Sequence, residues 1–171
     1  MDQVDRVIYD LKNNPYSRRI MTNIYVHQDL SEMNLYPCAY SVTFNVTGNK
    51  LNAILNQRSQ DVLAANNWNV VQYAALVYMM AQVTGFEPGE LVHVIADAHI
   101  YDRHVPMIEE LISRKPLPAP KFWLQKVDAA VAMASKGHIR NCLIRIPAVK
   151  PEIYVPVSYT HLRAHETGAY L

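Results

Sequence analysis

The chain has 171 residues, half of them apolar and 18% charged, and its 16 Lys+Arg against 15 Asp+Glu leave a net charge of +1. That balance fits one globular domain with a sizeable core and excludes a bulk nucleic-acid binder; no DNA partner is expected. Membrane spanning and disulfide scaffolding are excluded too: the longest apolar run, Tyr73 to Val83, is broken by Gln82, and there are only two cysteines, Cys38 and Cys142.

In chain order, Val4, Val7, Ile8 and Leu11 fall on one face of a helix over residues 4–12, with Asp2 placed to cap it and Asn13-Asn14-Pro15 to stop it. The start MDQVDRVIYD is acidic and amphipathic, not a signal peptide, so a reducing, cytoplasmic setting is expected. Ile20 to Val26 reads as a strand. Ala39 to Val46 and Leu51 to Leu55 flank Thr47-Gly48-Asn49-Lys50, the clearest hairpin signal in the chain. Val70 to Thr84 is helical and apolar nearly all round, with Gly85 just past its end, which predicts a buried helix. Glu87-Pro88-Gly89 reads as a turn, Leu91 to Ile95 as a strand, Pro106 to Ser113 as a short helix and residues 115–120 as a loop. Strands and helices mixed without a regular βαβ alternation predict an α+β fold.

Several residue groups carry possible chemistry, each beside a plainer reading. A lone cysteine such as Cys38 is ordinarily a small buried hydrophobe; as a nucleophile it would need cations nearby, for which Arg18, Arg19 and Arg58 are available. Gln57-Arg58-Ser59-Gln60-Asp61 gathers a guanidinium, a hydroxyl and a carboxylate, suited to a phosphate or simply to a solvated strand end. Asn69 opens the long helix, where the default role is an N-terminal cap. His99 and His104 are five apart and do not share a helix face, so a zinc site is not expected and hydrogen-bonding roles are preferred.

Taken together, SRRI (17–20), LYPCA (35–39), QRSQD (57–61), WN (68–69) and DAHIYDRH (97–104) resemble the thymidylate synthase family in order and spacing, over residues 2 to about 124. The resemblance implies a mixed sheet packed with a long buried helix, as in the C-terminal two-thirds of that family. It implies reductive methylation of dUMP to dTMP with 5,10-methylenetetrahydrofolate as reduced-folate co-substrate and no metal. Cys38 would be the catalytic nucleophile, adding to C6 of the uracil. Arg58 and Ser59 would bind the phosphate, joined by Arg18 and Arg19 reaching across from the other subunit of a homodimer. Gln60 and Asp61 would help bind the nucleotide, the Asp61 side chain facing the folate. Asn69 would read O4 and N3–H of the pyrimidine, and the His99-Ile100-Tyr101 stretch would bind the substrate, with His99 and Tyr101 holding the 3′-hydroxyl. An amide at Asn69 suits uracil, because cytosine reverses the donor and acceptor there.

Departures from the family pattern qualify those expectations. Ala39 stands where a His is common, Gln60 where a small or apolar residue is common, and residues 64–68 replace a Gly- and Pro-Phe-containing loop. Altered affinity is expected before altered chemistry. Residues 1–156 are assigned to the family-like domain, with residues 125–148 matching poorly through a frameshift pair or divergence. The upstream part of the family, with a phosphate-binding Arg and its catalytic Glu, has no counterpart, so this chain is expected to be inactive by itself. Residues 157–171 match one frame of a common transposase sequencing adapter and are set aside as non-structural, together with His161 and His165. Two other readings stay open: a pyrimidine deoxynucleotide hydroxymethylase, in which water replaces the hydride, and a non-catalytic nucleotide-binding dimer fragment.

Overall fold

The computed structural model of the chain describes residues 2–118, 122–124 and 144–145. The poorly matching stretch at 125–148 lies almost wholly outside the described residues, as do Cys142 and residues 157–171.

Helix α1 (Gln3–Asn13) begins where expected: the Asp2 carboxylate accepts the Asp5 N–H at 2.8 Å. Its Val7 and Leu11 are buried. Strand β1 is shorter than the sequence suggests, Met21–Asn23 instead of residues 20–26. The cause is local. The Gln3 carboxamide takes both the N–H and the C=O of Asn23, at 2.7 and 2.8 Å, and Asn23 Oδ1 in turn accepts from Tyr25 N in an Asx-turn.

The hairpin forms as expected from β2 (Ala39–Thr47) and β3 (Lys50–Gln57), with Gly48 at φ +62° in the connection. A short strand β4 (Gln60–Asp61) follows. Helix α2 (Asn66–Thr84) ends on Gly85, whose left-handed φ of +83° lets its N–H reach the Ala81 carbonyl at 2.9 Å. Strand β5 (Glu87–Ile95) then pairs with β3 in parallel, so one βαβ unit is built into the otherwise antiparallel sheet, in the order β1-β2-β3-β5. Beyond it come β6 (Ala98–His99), paired with β4, and helix α3 (Val105–Ser113). Strands β7 (Trp123–Leu124) and β8 (Ile144–Arg145) pair antiparallel.

Two expectations need correction. Glu87-Pro88-Gly89 is not a turn; it is the start of β5, where a proline is tolerated because the strand lies at the sheet edge. Helix α2 is not buried all round. Val77, Met80 and Ala81 are buried, while Trp68, Val71 and Tyr78 are 61%, 66% and 44% exposed, because only one face finds neighbours among the described residues. The core is that face together with Val7 and Leu11 of α1 and the inward row Val42, Phe44, Leu51, Ala53 and Leu55 of the hairpin. Among the described residues nothing packs over the opposite face of the sheet, where Met21, Val92 and Val94 are about half exposed among Asn, Ser and Thr side chains.

The β3–β5 register shifts between Leu51 and Ala53, and Asn52 Oδ1 accepts the Glu90 N–H there at 2.9 Å. A Cβ on Gly89 would stand 2.8 Å from the Leu51 carbonyl oxygen and would strike Asn52 Oδ1 as well. Gly89→Ala is therefore expected to destabilise the fold by about 1–3 kcal/mol, read as a lowered urea midpoint.

Candidate active site

The site is assembled where β3 leaves the main sheet. Arg58 N donates to the Cys38 carbonyl at 2.9 Å, while on the other side Ala96 N donates to Gln57 O at 2.9 Å and Gln60 N to Asp97 O at 2.8 Å. The two-residue pairing of β4 with β6 then sets Gln60 against Ala98 and Asp61 against His99. These backbone bonds bring segments 35–39, 57–61 and 97–101 to one end of the sheet.

Cys38 is half-buried at the entry to β2, and its Sγ lies 3.9 Å from Nη2 of Arg58. The guanidinium is itself held: Nε donates to Pro37 O at 3.0 Å and Nη2 to Tyr36 O at 2.8 Å. Two of five N–H donors are thereby fixed to backbone, and the rest can meet an anion or the sulfur. A pocket of about 490 Å³ beside Arg58 is lined also by Asn23, Tyr25, His27 and Tyr40. Arg58 joins this pocket to the nucleophile, lining the one and standing 3.9 Å from the other.

Behind the cysteine lies a set of carboxamides. Gln57 and Gln60 are 2% and 1% exposed. Gln57 Nε2 donates to the Ser59 carbonyl at 2.7 Å, to Gln60 Oε1, and to Asn69 Oδ1 at 3.2 Å, while Gln57 Oε1 meets His93 Nε2 at 2.9 Å. Asn69 is consequently not the helix cap expected from its position. It sits inside the first turn of α2, donating its N–H to Ala65 O at 3.0 Å, and its side chain turns to Gln57.

Asp61 Oδ1 caps the turn that follows, accepting from Leu63 N and Ala64 N at 3.1 Å each. His104 Nδ1 faces the same oxygen at 3.7 Å, and His99 Nδ1 faces Asp97 Oδ2 at 3.4 Å; neither pair closes a hydrogen bond. Tyr101 packs edge-on between the rings of His99 and His104, with Arg103 over its face. Ile100 is 45% exposed. Arg18 and Arg19 lie exposed between α1 and β1 and form no ion pair among the described residues. No three His, Cys, Asp or Glu side chains converge as metal ligands among the described residues.

Gln57 and His93 went unassigned in the sequence. Their signal was there: both occupy inward positions of strands whose neighbours are apolar, Leu51-Ala53-Leu55 in β3 and Leu91 in β5. A polar group in such a row must be paired.

Burial pushes the His93 imidazole below its ordinary pKa of 6.5. The unfolded chain therefore takes up this proton at a higher pH than the folded one, and stability falls as pH drops through and below 6.5. His93→Gln is expected to flatten that part of the profile. The ring's NMR titration midpoint should lie below 6.5.

A sequence model of the thymidylate synthase family matches residues 1–145. The thymidylate synthase of Bacillus subtilis subsp. natto is 41% identical over 124 residues, which is 72% of this chain and 44% of the relative. That of Clostridium beijerinckii is 44% identical over 125 residues, 72% of this chain and 48% of the relative. A solved structure, thermostable thymidylate synthase A from Bacillus subtilis, superposes with a TM-score of 0.73 at 36% identity, covering 84% of this chain and 51% of that one. The chain spans about half the length of the curated relatives it matches. With the mixed sheet, the motif order and the family match over most of its residues in agreement, the chain belongs to the thymidylate synthase family.

Proposed function

We propose that this chain carries the nucleotide-binding centre of an enzyme that methylates dUMP to dTMP through a covalent adduct at Cys38. The observation that carries the reading is the placement of Cys38 Sγ 3.9 Å from an arginine whose remaining N–H groups are left for a phosphate. In this reading the Cys38 thiolate adds to C6 of uracil, and the electron pair moves onto C5 and O4. Asn69 donates from Nδ2 to O4, where the charge develops, and accepts N3–H at Oδ1. Arg58 and Ser59 hold the phosphate, the backbone of Gln60-Asp61 lies along the nucleotide, and the His99-Ile100-Tyr101 segment holds the sugar 3′-hydroxyl.

5,10-Methylenetetrahydrofolate supplies the one-carbon unit and the hydride when bound. The residues present fit a reduced pterin: Asp61 keeps 20% of its side-chain surface exposed, offering a carboxylate edge to ring N–H donors. The assembly proposed is a homodimer. Its support is the sheet face bearing Met21, Val92 and Val94, half exposed, together with the exposed Arg18 and Arg19, which form no ion pair among the described residues and would contribute phosphate contacts to the opposite subunit's site. A cytoplasmic location belongs to the same proposal, since the chemistry needs a reduced thiol. Among the described residues no helix is long and apolar enough to cross a membrane.

The test is release of tritium from C5-labelled dUMP in the presence of the folate by the protein at the family's full length, with the product mass measured. Cys38→Ser is expected to lower release to below about one-thousandth of the unsubstituted protein. A methyl product supports the reading. A product one oxygen heavier points instead to the hydroxymethylase, and nucleotide binding without release, equal to the Cys38→Ser control, to a non-catalytic module.

A further inference from the structure

The carboxamide cluster behind Cys38 has more acceptors than hydrogens. Gln57 Nε2 carries two N–H bonds but has three oxygens within reach: Ser59 O at 2.7 Å, Gln60 Oε1, and Asn69 Oδ1 at 3.2 Å. Its orientation is not free. The Ser59 oxygen is a backbone carbonyl and can only accept, so the amide nitrogen must face it, and Oε1 must face His93, whose Nε2 is then the donor. Gln57 and Gln60 are shut off from bulk solvent, so the Gln57 amide hydrogens are divided among these three acceptors. The longest of the three contacts, to Asn69, is the one left short.

We infer that Gln60 is a specificity-determining positioning residue that competes with Asn69 for the Gln57 amide hydrogens and so loosens the discrimination of uracil from cytosine. The inference rests on reading Asn69 as the group that meets the pyrimidine edge. To read uracil, Asn69 presents Nδ2 to O4 and Oδ1 to N3–H; to read cytosine, the amide must turn over. Turned over, its Nδ2 would face Gln57 Nε2, donor against donor. A full Gln57–Asn69 hydrogen bond therefore opposes the cytosine-reading orientation, and a shared one opposes it less. The Gln60 side chain acts only through Gln57, by its oxygen, while its amide nitrogen is turned to Asp61 O and its backbone, which a side-chain substitution retains, keeps the place along the nucleotide proposed above.

The test is the ratio of dissociation constants for dCMP and dUMP, measured by titration calorimetry on the full chain. Gln60→Met keeps the buried volume and removes the acceptor. It is expected to raise the dCMP/dUMP ratio about 3- to 10-fold, while Gln57→Met lowers it by a similar factor. The double variant should match Gln57→Met alone, because Gln60 has nothing left to compete for. A role in packing alone would weaken both nucleotides together and leave the ratio where it was. Should Gln60→Met not fold, Gln60→Ala provides the same comparison. A ratio unchanged or lowered by removing the Gln60 acceptor, with both nucleotides still bound, overturns the inference and leaves the reading of the site intact. Failure of the unsubstituted chain to bind either nucleotide overturns that reading, and the inference with it, before any substitution is made.

Discussion

A strand that leaves a sheet in the interior must find new partners for its backbone, because an unpaired buried N–H or C=O costs about as much as a lost hydrogen bond. In this chain that constraint falls on the segment from Gln57 to Val62. Its N–H and C=O groups are taken up on one side by Cys38 and on the other by Ala96, Asp97 and His99. Meeting the constraint is what gathers the site. The nucleophile-bearing loop is drawn in by one bond and the segment from Ala96 to His99 by three, so the chemistry sits at the junction of segments far apart in sequence.

The same buried junction explains why amides and not apolar side chains fill it. An apolar residue at position 57 would leave the Ser59 carbonyl and the His93 ring without partners, at about 1–3 kcal/mol for each group left unpaired. Arg58 follows a similar logic on the outer side. Its bonds to two successive carbonyls of the Tyr36-Pro37 segment fix the approach to Cys38, and the guanidinium's planar fork allows this while leaving donors over. A lysine has no geometry for both tasks.

Much of the fold was legible from local patterns. The alternation in Ala39–Thr47 and Lys50–Gln57, the Gly48 connection, the Asp2 cap and the Gly85 stop each stem from short-range sterics or hydrogen bonding, and each lies where the residues place it. What local pattern could not carry was long-range. The parallel pairing that pulls Glu87-Pro88-Gly89 into a strand depends on Lys50 and Leu51, more than thirty residues away, and overrides their turn propensity. Helix α2 is apolar on faces that have no partner among the described residues, so composition alone exaggerated its burial. At the site, Cys38, Arg58, Asn69, His99 and Tyr101 were picked out by their resemblance to a family, whereas Gln57 and His93 needed the strand's inward row to be taken as a demand for hydrogen bonds.

The parallel pairing of β3 with β5 also dictates an order of events in time. The β2–β3 hairpin closes over a two-residue connection and can form in microseconds, whereas β5 must wait for the whole α2 crossover to be laid down before it can dock. The β4–β6 pairing lies beyond that crossover, so the bonds at Gln60 and Val62 can close only after the parallel edge is in place. The His99 side of the site, held by this separate two-stranded pairing, is thus joined after the four-stranded sheet is complete. A folding intermediate that holds the finished hairpin would already carry Arg58 beside Cys38, because their bonds continue the hairpin's own pairing, and would lack only the docked His99-Ile100-Tyr101 segment.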